Sequence, residues 1–285
     1  MSKKNAPSVL NRIKPGTNAA FNVIFIILSL MCVLPIVLIF IISITDEQSI
    51  AQNGYQIIPD MLSASAYSFL WGERAMILQA LWISVEVTVV GTAIGVLLTT
   101  TMGYVLSRPG YKLNGLFSTI VFIPMIFSGG MVASYVVIAQ MLNLRDTIWS
   151  LILPLCVSSF NVTICRTYFR TNIPDAVIES AKIDGASQLT IFARIVVPIS
   201  KPLLATIGLF LAFGYWNDWF QSSLYISDDN LLSLQALLNQ LQKNMEFLTK
   251  NPTAGMSLQD YRLAMPTESV RMAIAIISAV PIACV

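Results

Sequence analysis

The sequence predicts an all-α polytopic membrane protein with six transmembrane helices. The chain has 285 residues, of which 55% are hydrophobic and only 11% charged, whereas a soluble domain is typically about 25% charged. Its mean hydropathy is +0.71. The charged residues are also clustered, so that long apolar runs alternate with charged connections. Apolar runs of about 20 residues are long enough to cross the hydrocarbon core of a bilayer.

The first predicted span covers residues 21–44. No charged residue occurs between Lys14 and Asp46. The apolar region of a signal peptide is only about 7–15 residues long, so this run is interpreted as a permanent span. The other spans are predicted at residues 80–106, 115–141, 147–165 and 202–226, and a last apolar stretch begins near Met272.

Positive charges orient the spans, because cytoplasmic connections carry an excess of Lys and Arg. Residues 1–18 hold four basic residues and no acidic one, so this N-terminal segment is predicted to be cytoplasmic. The connection at 45–79 is mainly acidic, and the one at 166–201 is rich in Arg and Lys. The 166–201 connection is therefore predicted to lie in the cytoplasm, and the 227–270 connection is predicted to lie outside. Residues 19–285 form the predicted transmembrane domain.

The composition excludes several classes of chemistry. The chain contains no histidine, which removes histidine bases, histidine proton relays and most catalytic zinc sites. Its four cysteines lie in apolar runs without C-x-x-C spacing, and they are interpreted as buried hydrophobic residues. No phosphate-binding G-x-x-x-x-G-K-[ST] loop is present. We therefore predict no catalytic residue, no metal site and no bound cofactor, and any ATP is hydrolysed by another subunit.

A polar segment, "ESAKIDGASQLTIFARIVVPISKP", occupies residues 179–202 between spans four and five. Its local signals predict two short helices within residues 174–197. Pro174 suits the start of the first helix. Gly185 can end that helix in the left-handed conformation, and Ser187 can cap the second.

The second helix is expected to carry Ile191, Phe192, Ile195 and Val196 on one apolar face. Pro198 and Pro202 are then expected to stop it and to start span five. Two interpretations are open at this point. The segment is either an ordinary cytoplasmic loop or a docking element for another protein.

The same segment resembles the E-A-A…D-G-A-S…F…P…P signature of bacterial ABC-importer permeases. This resemblance implies the type I importer permease fold, in which the signature forms the coupling helix that seats in a cleft of the ATP-hydrolysing subunit. Ser180 replaces the usual alanine of the signature with another small residue. The resemblance assigns ATPase coupling to the signature positions Glu179, Ser180, Ala181, Asp184, Gly185 and Ala186.

The resemblance covers most of residues 80–285. "FSGGMVASYVVIAQMLNLRDT" (127–147), "SFNVTICRTYFRTNIPD" (159–175) and "FGYWNDWFQSSLYI" (213–226) are similar to the carbohydrate branch of the family. This branch implies a subunit of an importer in the bacterial cell membrane that forms half of the pathway for an oligosaccharide or a polysaccharide fragment and couples transport to ATP hydrolysis in a separate subunit. The implied partners are a second homologous permease, ATPase subunits that hold ATP and Mg, an external solute-binding protein and membrane lipid. The net charge of +2 does not suggest nucleic acid.

The sequence "YWNDW" (215–219) suggests where a sugar could bind. Aromatic faces stack on sugar rings, and amides and carboxylates bind hydroxyl groups; Tyr215, Trp216, Asn217 and Asp218 supply both kinds of contact. Asp218 lies in the outer half of the predicted span five, where an acid is costly unless it faces a polar cavity or a partner. The alternative is aromatic anchoring, with Asp218 near the headgroups. We favour cavity lining.

Glu86 and Asn161 are the other polar candidates for the pathway. Glu86 lies in the outer part of span two, where a place at the membrane interface is as reasonable as one in the pathway. Asn161 in span four is interpreted as an interhelical contact more readily than as a ligand.

Glycine residues predict two further features. Gly91, Gly95 and Gly103 in span two predict close packing against other helices. The "SGG" at residues 128–130 of span three predicts a break in the helix, which is tolerable where protein or a cavity meets the backbone.

The main functional alternative is an ion-coupled secondary transporter of a polar solute. Coupling to ions would need titratable groups within the membrane, and the predicted spans offer Glu86 and Asp218. Inverted repeats are typical of such transporters, and the sequence has no convincing repeat.

The chain ends inside an apolar stretch. Residues 272–285 are nearly all apolar and would extend about 21 Å as a helix, which is short of a core of ~30 Å. We therefore expect the sixth span to be truncated at Val285, and the intact subunit to exceed 31.3 kDa.

Overall fold

The regular elements of the structure are helices, as expected for an all-α protein. The computed structural model describes residues 14–72, 74–250 and 267–283. Its helices are α1 (Pro15–Ser43), α2 (Glu47–Asn53), α3 (Ser65–Gly72), α4 (Arg74–Ser107), α5 (Asn114–Ile126), α6 (Gly130–Tyr135), α7 (Ile148–Ile152), α8 (Ser159–Asn172), α9 (Asp175–Ile183), α10 (Gln188–Ile191), α11 (Val197–Ile199), α12 (Lys201–Trp216), α13 (Phe220–Tyr225), α14 (Leu234–Lys250) and α15 (Thr267–Ala283). Val136–Met141 and Phe192–Val196 form π-helical turns, and Asp229–Leu231 forms a 3₁₀ turn.

The described residues fall into two compact units. One unit contains residues 14–71 and 267–283, and the other contains residues 72–250. The first holds α1, α2 and α15, and the second holds the elements from α4 to α14.

In the first unit, α1 packs against α15. The N-terminal end of α15 is capped by the carboxylate of Glu47, which accepts hydrogen bonds from the backbone N–H groups of Glu268 and Ser269. The Tyr55 hydroxyl donates to Glu268 at 3.0 Å. Burial and this hydrogen bond raise the pKa of the Tyr55 hydroxyl, which keeps the hydroxyl protonated as a donor. The short helix α2 and the connection after it therefore fix the start of α15.

In the second unit, α4 is the central helix and packs against α8 and α12. Three glycines make this packing possible. A methyl group built on Gly95 would lie 2.8 Å from the carbonyl oxygen of Cys156, and one on Gly91 would meet the ring of Tyr215. One on Gly103 would collide with Cys165. The predicted close packing at these glycines is confirmed.

Two of the described helices, α1 and α4, are long and apolar enough to cross a membrane by themselves. A third candidate is the pair formed by residues 188–199 and 201–216, which is bent by 83°. The shorter apolar helices are α5 and the segment Gly130–Met141. The count of six spans stays a prediction, and residues 1–13, 251–266 and 284–285 lie outside the described residues.

The predicted span three is interrupted where the glycines suggested. Helix α5 ends at Ile126 and α6 begins at Gly130. Gly130 has a φ of +75°, a value that suits glycine because it has no side chain to clash. The predicted break at residues 128–130 is confirmed.

The apolar stretches predicted as spans four and five are each interrupted in the structure. Residues 153–158 separate α7 from α8, and residues 217–219 separate α12 from α13. Pro154 has no N–H group to donate to the Ser150 carbonyl, which favours the first break. At the second break, the Asp218 carboxylate accepts from the Gln221 N–H at 3.1 Å, and such local bonds compete with a continuous helix.

Candidate coupling site and pathway

The polar segment between α8 and α12 forms the predicted pair of helices. Its first helix, α9, begins directly after Pro174 and ends at Ile183. Gly185 follows with a φ of +80°. Its N–H donates to the Lys182 carbonyl, and the Ala186 N–H donates to the Ala181 carbonyl, both at 3.0 Å. These two bonds form a Schellman motif, which closes the end of a helix with a left-handed glycine. The predicted left-handed turn at Gly185 is confirmed.

The second helix begins at the cap that the sequence predicted. The Ser187 hydroxyl accepts a hydrogen bond from the Thr190 N–H at 3.2 Å. Ile191 and Val196 are completely buried, and Phe192 and Ile195 pack against the same core. The apolar face is therefore confirmed.

The end of the second helix differs from the prediction. The helical path continues through Pro198 to Ile199 and turns at Ser200. The Phe192–Val196 turn before the proline is π-helical. Because Pro198 has no N–H group, it cannot bond the Arg194 carbonyl, and wider hydrogen-bond spacing before the proline accommodates this loss. Pro198 therefore does not stop the helix.

The helix pair has one face in the core and an exposed tip. Ile178 and Ala181 of α9 are buried in the core cluster. The side chains at the tip are exposed, and they include two large apolar ones, Ile183 at 86% and Leu189 at 79% exposure. Among the residues assigned to coupling, Glu179, Ser180, Asp184 and Gly185 are exposed, Ala186 is half-buried and Ala181 is buried. A folded hairpin thus presents a small, partly apolar surface.

A cleft of about 490 Å³ opens beside α9. One wall is the end of α4 with the connection that follows it, and the other wall is α9. Its lining includes Arg108, Tyr111, Asp175, Glu179 and Lys182. The cleft separates α9 from the end of α4 over part of its length.

The pathway candidates of "YWNDW" fall into two groups. Tyr215 is only 4% exposed, and its hydroxyl donates to the Ile152 carbonyl at 2.8 Å. Trp216 is also buried. Tyr215 thus joins α12 to the end of α7 and fills the space above Gly91, so its ring offers no open face to a sugar in this structure.

Asn217 and Asp218 lie in the break after α12. Asn217 is exposed and Asp218 half-buried. Asp218 and Tyr215 line a small cavity of about 10 Å³, together with Ser84, Ser222 and Ser233. This volume suits about one water molecule, and it cannot hold a sugar ring.

Glu86 and Asn161 do not line this cavity. Glu86 is half-buried on α4, and Asn161 is buried on α8. The structure thus brings Tyr215 and Asp218 together, and it places the other two candidates elsewhere.

Sequence reasoning missed two features of this region. The exposed apolar residues Ile183 and Leu189 were not singled out, although large apolar side chains in a polar connection were a visible signal. Arg108 was not singled out either. Its side chain contacts both Asp175 and the Phe169 carbonyl, and no local pattern shows such distant contacts.

Comparison with known proteins gives a consistent set of relatives. A family model described as "Binding-protein-dependent transport system inner membrane component" matches residues 91–285. Protein LplC of Bacillus subtilis (strain 168) is 36% identical over 250 residues, covering 88% of this chain and 82% of that protein. The polygalacturonan/rhamnogalacturonan transport system permease protein YtcP of the same organism is 34% identical, covering 89% of this chain and 86% of that protein.

The fold is also similar to a solved structure. This is the crystal structure of a bacterial ABC transporter involved in the import of the acidic polysaccharide alginate. The TM-score is 0.81 at 24% sequence identity, and the match covers 94% of this chain and 93% of that chain.

Proposed function

The chain belongs to the family of binding-protein-dependent transport system inner membrane components and is a permease of an ABC importer, and we propose that it carries an oligosaccharide or polysaccharide fragment. It forms half of the translocation pathway, and a second homologous permease forms the other half. An external solute-binding protein delivers the sugar. ATPase subunits, which hold ATP and Mg, drive the transport. The named substrate class of the relative YtcP supports the choice of a sugar polymer.

The exposed tip of the α9–α10 hairpin is the observation that supports coupling to the ATPase subunits. Burying a large aliphatic side chain contributes about 1.5–3 kcal/mol, and Ile183 and Leu189 are both left exposed at the tip. Two such residues beside a rigid Schellman turn fit insertion into a groove of another protein. The ATPase subunit is the partner that the importer mechanism requires at the cytoplasmic face.

The signature residues have distinct roles in this docking. Ala181 holds α9 on the core, so that the hairpin moves as one body with the helices behind it. Gly185 sets the direction of the turn, and Ala186 keeps it narrow. Glu179, Ser180 and Asp184 are exposed on or beside the docking surface and supply polar contacts to the partner.

In the pathway, we assign direct contact with the sugar to Asn217 and Asp218, which lie where α12 is interrupted. Tyr215 and Trp216 are buried, and their packing fixes the position of this break. Glu86, half-buried on α4, is assigned to the pathway, and the buried Asn161 to contact between helices.

The topology follows from the same proposal. The hairpin must face the ATPase subunits, so α9 and α10 lie in the cytoplasm. The N-terminus is then cytoplasmic too, in agreement with its basic residues. The subunit resides in the bacterial cell membrane. The ion-coupled alternative is less well supported, because the family takes its substrate from a binding protein.

Copurification with the ATPase subunit tests the docking surface. We expect the double variant Ile183→Ser, Leu189→Ser to reach the membrane in normal amounts and to lose most of the copurifying ATPase. The matched control is Ile199→Ser, which changes another exposed apolar residue away from the tip. Equal recovery of ATPase with the double variant and the control would contradict the proposed docking.

A further inference from the structure

Arg108 lies directly after the last residue of α4, and its guanidinium contacts three elements. Nε donates to the Ser107 hydroxyl at 3.0 Å. Nη1 lies 3.3 Å from the Asp175 carboxylate, and Nη2 donates to the Phe169 carbonyl at 3.2 Å. The guanidinium also lies 5.1 Å from the centre of the Tyr104 ring. The side chain is only 15% exposed.

The two distant partners belong to the ends of successive helices. Phe169 is in the last turn of α8, where backbone carbonyls have no partner within the helix. Asp175 is the first residue of α9. A cation is favourable at the C-terminal end of a helix and an acid at the N-terminal end. The guanidinium therefore bridges α8 and α9 with complementary charge at each contact.

The connection between α8 and α9 is short and lies beside Arg108. It consists of Ile173 and Pro174, both in extended conformation. The cleft of about 490 Å³ lies between α9 and the connection after α4, so α9 and this connection are not in close contact along it, and α9 packs on the core through Ile178 and Ala181 instead. The bonds from Arg108 cross from the end of α4 to both sides of this link.

We propose that Arg108 is a positioning residue that ties the coupling helix α9 to the end of α4. This inference rests on the proposed function, because it assumes that the α9–α10 hairpin docks on the ATPase subunit. Movement of the docked hairpin is transmitted through Arg108 to α4. Further along α4, Gly91 packs against Tyr215, which lies two residues before the break at residues 217–219. The tie therefore links the cytoplasmic hairpin to the candidate pathway.

The ability of the guanidinium to bind two acceptors at once is essential to this role. The ion pair alone contributes little to stability, because the Asp175 side chain is 66% exposed and exposed pairs are weak. A guanidinium can hold two acceptors at a fixed angle, whereas a lysine ammonium acts as a point charge. Arg108→Lys therefore keeps the charge and loses the simultaneous contacts with Phe169 and Asp175.

The test measures movement of α13, on the outer side of the membrane, when ATP binds to the ATPase subunits on the cytoplasmic side. The complete complex with its partner permease and ATPase subunits is placed in lipid nanodiscs. Cys32 and Cys284 are replaced by serine, and a fluorophore is attached through Ser223→Cys, an exposed position on α13. ATP with vanadate is the probe, so no transported sugar needs to be identified. The variants are Arg108→Lys and Arg108→Gln, with Lys112→Gln as a control for loss of an exposed cation in the same connection.

We expect both Arg108 variants to assemble and to hydrolyse ATP without substrate, with a fluorescence response at least about fivefold smaller than that of the unsubstituted complex. A fivefold effect is the lower end of typical coupling between distant sites. The control should respond fully. A full response from Arg108→Gln would overturn the inference, and so would failure of every Arg108 variant to assemble, which would show a structural role. An unsubstituted complex that does not respond would overturn the proposed coupling function itself.

Discussion

Gly185 allows a direct test of the coupling hairpin, because its backbone conformation favours glycine although there is space for a side chain around it. Its φ of +80° is unfavourable for residues with a side chain. A methyl group built on it would have no other heavy atom within 4 Å. Gly185→Val therefore introduces backbone strain, while its Cβ meets no other heavy atom of the chain.

The size of the effect follows from this geometry. A left-handed conformation costs an ordinary residue roughly 1–2 kcal/mol. Such a cost lowers the population of the native turn by a factor of about 5–30, and the branched side chain also widens a tip that must dock closely. We expect Gly185→Val to insert normally into the membrane and to lose ATP hydrolysis that is stimulated by substrate and binding protein.

Two further variants separate the effect of backbone strain from the effect of added side-chain bulk. Asparagine tolerates the left-handed conformation better than other residues do, so Gly185→Asn tests the added bulk with less strain. Gly115→Val places the same side chain at a glycine that also has open space around it and has no positive φ. The assay is ATP hydrolysis by the assembled complex, with and without its binding protein loaded with the oligosaccharide that this binding protein binds. Stimulation of the Gly185→Val complex at the level of the unsubstituted complex would refute the assigned role of the turn.

Three other substitutions probe packing and pathway. Gly103→Val should lower the thermal stability of the purified subunit, because overpacking against Cys165 costs about 1–3 kcal/mol; an unchanged melting temperature would contradict the close contact. Tyr215→Phe should destabilise the subunit by about 1–3 kcal/mol, since the Ile152 carbonyl loses its buried donor, with uptake preserved at low temperature. Asp218→Asn keeps the shape and removes the charge, and we expect impaired uptake at normal expression; normal uptake would return this residue to an anchoring role.

Local signals in the sequence predicted the hairpin well. Its turn depends on Gly185 and Ser187, each of which acts on backbone groups only a few residues away. The packing glycines of α4 were also predictable, because a small residue on an apolar helix has few other uses. These features could be inferred without knowledge of the three-dimensional contacts.

The breaks in the helices and the buried tyrosine could not be predicted in the same way. Hydropathy measures the length of an apolar run, and it does not show that Pro154 or Asp218 ends a helix within that run. The sugar-binding interpretation of Tyr215 considered only the chemistry of its ring. Whether the ring is open to a ligand depends on Gly91, which lies more than a hundred residues earlier in the chain. Arg108 was missed for the same reason.

The energy source for uptake tests the central claim most directly. The complete complex is reconstituted into vesicles with its binding protein, and ATP is supplied only on the side of the α9–α10 hairpin. Uptake of the labelled oligosaccharide that the binding protein binds is then measured with and without ionophores that abolish ion gradients. An ATP-driven importer should take up sugar only with ATP, and uptake should persist when the gradients are abolished. Uptake that continues without ATP and stops with the ionophores would contradict this function.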